Sequence, residues 1–170
     1  MDVTEAVETR IEVREYADEP IDAGTKRAIL EAGRLASSGR NLQHWRFILI
    51  DDPDDIRQVA DRSPTGGWVA DAAFVVVVLT DPEWDFHEID AGRAVTHMQL
   101  VAWEHGVGSC IYTVDNPTLK EDLGVPDDRS LTLVCGFGRP ARPVQGRKSR
   151  KPLADIAFQG RYGESLTVGE

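Results

Sequence analysis

The chain has 170 residues, 41% of them hydrophobic, and carries 29 acidic against 19 basic side chains, a formal net charge of −10. That length suits one domain, 1–170, with a proper core, and no apolar run approaches the roughly 20 residues of a membrane span. The acidic start Met1–Glu5 lacks both parts of a signal peptide, and an anionic surface opposes general nucleic-acid binding, so a cytoplasmic protein without membrane or nucleic-acid partners is expected.

In chain order, Thr4 can cap a short helix to about Thr9. The compact stretch Arg10–Tyr16 follows. Arg10 and Arg14 are four residues apart, so they project to one side in either a helix or a strand. Asp22 caps a longer helix through Ala36, with Ile29, Leu30, Ala32, Gly33, Leu35 and Ala36 as its apolar face. Between it and a strand at Arg46–Ile50 lie Ser37, Ser38, Gly39, Arg40, Asn41 and Gln43. A turn does not need so many hydrogen-bonding side chains beside a buried strand. A polar ligand would partner them; a helix end and surface turn is the equal alternative on spacing alone.

Asp52 caps a helix over Pro53–Asp61, with proline in the first turn, and Ser63–Gly67 reads as a turn or mobile loop. Ala73–Thr80 is a strand buried on both faces. A long helix, Ile89–His105, turns Ala91, Ala94, Val95, Met98, Val101 and Ala102 inward. Ser109–Thr113 is a strand, Pro117–Leu123 a helix and Ser130–Gly136 a strand; the tail after Arg142 is mostly irregular, with a short turn near Leu153–Phe158. A central sheet with helices on both sides is the natural arrangement.

The run Arg139–Lys151 is an electrostatic anomaly. It holds Arg139, Arg142, Arg147, Lys148, Arg150 and Lys151, six of the nineteen basic residues, and no acidic one. Local positive charge on an anionic body suggests a bound anion, and the planar guanidinium fork suits phosphate; the plainer alternative is a surface strip that neutralises the body. Aspartate outnumbers glutamate 17 to 12, and Asp51–Asp55 holds four aspartates; such a self-repelling surface fits an acidic, halophilic-like protein. Cys110 and Cys135 sit in apolar strand-like segments and are expected as buried small hydrophobes. The match of Gly136–Ala141 to the dinucleotide pattern Gly-x-Gly-x-x-Ala is rejected, because Pro140 and Pro143 leave no helix to meet a pyrophosphate.

Taken in order, these motifs resemble the nitroreductase family of flavoproteins over nearly the whole chain. The shared pieces are Arg10–Tyr16 with Glu19–Pro20, the Ser37-Ser38-Gly39-Arg40-Asn41-Leu42-Gln43-His44-Trp45 run, Asp90-Ala91-Gly92, Gly106-Val107-Gly108-Ser109-Cys110, Gly138–Ala141, and Arg150–Leu153. The resemblance implies an α+β, three-layer sandwich with a central mixed, mostly antiparallel sheet flanked by helices. It implies an oxidoreductase that passes electrons from NADH or NADPH through FMN to a nitroaromatic, quinone or similar acceptor. It also implies a homodimer with the FMN site at its interface. Other chemistry on this scaffold (dehydrogenation, dehalogenation, flavin breakdown), or flavin binding without turnover, are the alternatives.

Carried onto this chain, the resemblance places Arg10 and Arg14 at the phosphate and ribityl end, with Lys148 and Arg150 reaching the same phosphate. It lines the flavin with Ser37, Ser38, Asn41 and Gln43 from the partner subunit, and sets the backbone of Tyr112, Thr113 and Val114 near the reactive ring nitrogen. The flavin carries the chemistry, so no catalytic side chain is assigned. Two positions depart from the family pattern. Glu12 replaces serine, and a carboxylate about 4 Å from a phosphate charge would cost roughly 4 kcal/mol at an effective dielectric of 20, so Glu12 must turn away or pair with Arg10 or Arg14. His44 replaces proline and is expected as a partly exposed loop histidine. Trp45 is expected in the core or an interface rather than stacked on the flavin.

Overall fold

The strand β2 (Phe74–Thr80) organises the molecule. Its run of β-branched side chains favours the extended backbone, and all seven of its residues are buried. The computed structural model describes residues 1–144 and 148–167. In it, β1 (Arg46–Ile50), β2, β3 (Gly108–Tyr112) and β4 (Ser130–Gly138) form one sheet of order β1-β2-β4-β3. Every strand pairing is antiparallel: Ile48 lies opposite Val77, Val77 opposite Val134, and Cys110 opposite Gly136. The parallel element of the expected mixed sheet is an isolated bridge from Glu12 to Ser109, where the Val13 amide donates to the Ser109 carbonyl at 3.0 Å.

Alternation along β2 splits its side chains between two cores. Phe74, Val76 and Val78 face α2 (Ala23–Arg34) and α4 (His87–Glu104), where they meet Ile29, Met98 and Phe137. Val75, Val77 and Leu79 face the other layer, α3 (Pro53–Asp61) and the 3-10 turn Gly67–Asp71, where they meet Ile56, Val59 and Val69. Two short helices, α1 (Val3–Thr9) and α5 (Pro117–Asp122), complete the helical set among the described residues. The helices α2 and α4 approach so closely that a Cβ on Gly33 would sit 2.1 Å from Met98 Cε.

Local chemistry explains the agreements and the differences. Asp22 and Asp52 cap α2 and α3 as read from the sequence. Helix α1 is capped by Asp2 rather than Thr4, the Asp2 carboxylate accepting from the Glu5 amide at 2.8 Å. Helix α2 stops at Arg34, two residues short of Ala36, and Leu35 turns outward at 64% exposure. Helix α4 starts at His87 rather than Ile89, and its cap position, Phe86, offers no side-chain hydrogen bond, so nothing in the sequence marks that start. Strand β4 runs on to Gly138 because β3 pairs with it through Gly108. The Ser63–Gly67 segment leads into the 3-10 turn, whose Val69 is fully buried. Cys110 and Cys135 are buried free thiols. Trp45 belongs to the core, against Ala36 and Ala94.

Candidate functional site

The basic residues of the Arg139–Lys151 run separate by role. Arg139 donates from Nη1 to the His105 carbonyl at the end of α4, and Arg142 pairs with Glu15. Arg147 lies outside the described residues. Lys148 and Arg150 return to the other end of the chain, where Lys148 Nζ donates to the Val7 carbonyl in α1. Burial first, and then the guanidinium groups of Arg10 and Arg150, hold the Lys148 ammonium below the ordinary lysine range. Lys148 thus joins the C-terminal segment to α1 in a chain whose net charge is −10, while the Arg150 guanidinium donates to the adjacent Ser149 carbonyl.

Arg10 is tied down by the residue that the sequence marks as a problem. Arg10 Nη1 lies 2.8 Å from Glu12 Oε1, and Gln99 Nε2 reaches both Glu12 oxygens at 3.4 and 3.5 Å. Glu12 is thus partnered by Arg10 and α4. Arg14 takes a different course from Arg10. Its Nε donates to Cys110 Sγ at 3.2 Å, and its guanidinium lies 5.7 Å from the Trp68 ring centroid, a cation–π distance. It lines an open cleft of about 520 Å³ with Glu12, Glu15, Pro140 and Arg142. Burial pushes the Cys110 thiol up, with Arg14 acting in the opposite sense, and burial pushes Cys135 well up; both remain thiols rather than nucleophilic thiolates near neutrality.

Ser37, Ser38, Asn41 and Gln43 form a second group. The Gln43 amide donates to Ser38 Oγ at 3.0 Å, and the Gln43 side chain donates to the Asn41 carbonyl and Oδ1 at 3.3 and 3.2 Å. Arg40, Asn41 and Gln43 all have positive φ, at 52°, 57° and 49°; Ser37, Asn41 and Gln43 are exposed. The loop is fastened to Asp90 in the first turn of α4, whose Oδ2 accepts from the Gly39 amide at 2.9 Å and meets His44 Nε2 at 3.2 Å. His44 is not the partly exposed loop residue that the sequence suggests. It is buried, because Asp90 partners its ring and the Trp45 and Phe86 rings pack around it.

Tyr112, Thr113 and Val114 form the third group. The Tyr112 side chain is buried, with its hydroxyl 2.7 Å from Ser63 Oγ and its ring edge-on to Trp68, so only backbone remains for a ligand. Thr113 and Val114 line a cleft of about 400 Å³ with His87, Glu88 and Lys120.

Helix α4 sets the relation between the groups. Asp90 holds the loop and Gln99 holds Glu12, and both are buried. Nine helical residues separate these two by about 14 Å along the axis and by about half a turn around it. Within one chain, therefore, the polar loop and the Arg10–Glu12 pair are fastened to different turns of α4, at opposite edges of its buried face. Asp90 and Gln99 themselves were not singled out from the sequence as site residues. The available signal is two polar residues at opposite edges of a helix face otherwise made of Ala91, Ala94, Val95, Met98 and Ala102.

The chain matches the model of the Nitroreductase family over residues 7–73 and 62–139. It is 29% identical over 142 residues to an Archaeoglobus fulgidus protein named after NADH dehydrogenase and NAD(P)H nitroreductase activities, covering 78% of this chain and 82% of the relative. To the NADPH-flavin oxidoreductase of Vibrio harveyi it is 23% identical over 171 residues, covering 89% of this chain and 71% of that one. Its fold superposes on an FMN-dependent nitroreductase from Clostridium difficile R20291 with a TM-score of 0.86 at 24% identity, over 94% of this chain and all of the other.

Proposed function

Since the chain belongs to the nitroreductase family, we propose that it is an FMN-dependent oxidoreductase that takes electrons from NADH or NADPH and delivers them to a small aromatic acceptor such as a quinone or nitroaromatic. The observation that carries this reading is the return of the basic C-terminal segment to α1, where Lys148 Nζ donates to the Val7 carbonyl three residues before Arg10 in an anionic chain. Glu12 answers one guanidinium of this region, and a phosphate offers the oxygens that the remaining ammonium and guanidinium groups can share. The residues present fit the group. The cations suit a phosphate at one end of an elongated ligand, and Glu12 is already satisfied by Arg10 and Gln99 and so need not oppose it. Arg14 lines the open cleft beside Glu12 and would address the polar chain that adjoins the phosphate.

The chemistry that bound FMN supplies is acceptance of a hydride and release of two electrons to a second substrate. The chain's own groups bind and orient. Arg10, Lys148 and Arg150 anchor the phosphate. The amides of Thr113 and Val114 present N–H donors that stabilise negative charge at a ring edge. Ser37, Ser38, Asn41 and Gln43 would hydrogen-bond the ring from a second copy of the chain; within one copy their loop and the Arg10–Glu12 pair are tied to α4 at Asp90 and Gln99, about 14 Å apart along the axis. The reading includes a homodimer, to which exposed apolar side chains such as Val3, Val7, Leu35, Ile89 and Ile156 are available. No helix among the described residues is long and apolar enough to cross a membrane.

The test is spectroscopic. Purified protein mixed with FMN retains a yellow flavin spectrum after gel filtration; NADH or NADPH bleaches it without oxygen, and a quinone restores it. A yellow protein that neither nucleotide bleaches would overturn the electron-donor assignment, and a colourless one would overturn the cofactor.

A further inference from the structure

The loop between α2 and β1 takes a course its residues do not choose unaided. Arg40, Asn41 and Gln43 all lie in the left-handed region, which disfavours residues with a Cβ, asparagine least. Such a conformation persists only where its surroundings over-determine it. The surroundings here converge on one carboxylate oxygen. Asp90 Oδ2 receives the Gly39 amide from the start of the loop and His44 Nε2 from its end, at 2.9 and 3.2 Å. Asp90 is 1% exposed and His44 6%, so water does not substitute for either contact. The Asp81 amide faces His44 Nδ1 at 3.5 Å, which assigns the ring proton to Nε2, the atom turned to Asp90. Arg93 Nη1, 3.4 Å from Asp90 Oδ1, supplies the counter-charge. The Phe86 ring closes the loop from outside, 2.4 Å from where a Cβ on Gly39 would stand.

We infer that Asp90 and His44 are positioning residues: their buried contact clamps the two ends of the 37–43 loop and thereby sets the angle at which Ser38, Asn41 and Gln43 meet a flavin. This rests on the functional reading above. It gives a role to a histidine at the point where the family pattern has proline. A proline would restrict the backbone covalently, whereas His44 obtains the restriction through a hydrogen bond to α4. The loop geometry then depends on Asp90, forty-six residues further along the chain.

The experiment uses hydrogen exchange by mass spectrometry on the full chain without flavin, and FMN titration in parallel. Asp90→Asn and His44→Ala are expected to speed exchange in peptides covering 37–46 by about tenfold, the effect of one lost buried hydrogen bond, with peptides of β2 unchanged. Both should weaken FMN binding by a similar factor. His44→Gln, which can return an N–H to Asp90, is expected to recover most of the protection and of the affinity. Exchange at 37–46 that stays at the starting rate, or rises equally across β2, overturns the clamp. Local loosening with FMN affinity intact overturns its link to the flavin. Failure of the unaltered protein to bind FMN overturns the functional reading instead, and the exchange result then decides the clamp by itself.

Discussion

Glu12 is the carboxylate that would repel a phosphate at the proposed site, yet it orders a cation there, Arg10. Paired with Arg10 at 2.8 Å and reached by Gln99, it holds one guanidinium on the α4 side of the site. Such a half-exposed pair contributes little to stability, but it limits the rotamers of a group that must meet a ligand. Glu12→Ser is therefore expected to weaken FMN binding by about two- to fivefold, the range of an exposed ion pair, and a fluorescence titration showing tighter binding would contradict this. Lys148 gives a pH signature. Its folded-state value is lowered from 10.5 by burial and by Arg10 and Arg150, so as pH rises this ammonium loses its proton in the free protein before an ordinary lysine would. A bound phosphate favours the charged form, so affinity for FMN should fall through that window, while the folding penalty of the crowded cation is relieved over the same range. Lys148→Arg should remove the fall; an unchanged alkaline profile would exclude Lys148 from the phosphate site.

At the scale of elements, α4 is both core and partition. Its tight approach to α2 depends on Gly33 lying under Met98. Gly33→Leu is expected to lower the unfolding free energy by about 2–3 kcal/mol through overpacking, measurable by urea denaturation, whereas Gly33→Ala should be milder because Met98 is flexible and alanine favours helix. A Gly33→Leu protein of unchanged stability would mean that α2 and α4 do not pack this way. The legibility of the chain follows the same physics. Strand β1 and helix α3 have the bounds read from the sequence, because Asp52, Pro53 and the apolar run Phe47–Ile50 are local signals. The start of α4 and the turn Gly67–Asp71 were not legible: Phe86 offers no cap, and Val69 is fixed by burial against distant strands. The three polar or basic groups proposed for the site are legible as sequence clusters. Their spatial relation is not, because it depends on which face of α4 Asp90 and Gln99 occupy. Nor is the burial of His44, which needs the long-range partner Asp90.

At the scale of the molecule, charge works against compactness. With a net charge of −10, the body repels itself, and salt screens that repulsion over about 10 Å at 0.1 M. The melting temperature is therefore expected to rise with added KCl, and a flat dependence would remove the halophilic-like reading. The cation group is the local exception to this field, and the whole account turns on what it holds. The direct test compares FMN with riboflavin, which lacks only the phosphate. The unaltered protein should bind FMN the more tightly, and Lys148→Met combined with Arg150→Met should reduce that preference by about a hundredfold, two charge-assisted hydrogen bonds' worth, while leaving riboflavin affinity nearly unchanged. A double variant that still prefers FMN to the same degree would show that the termini are not brought together to bind a phosphate.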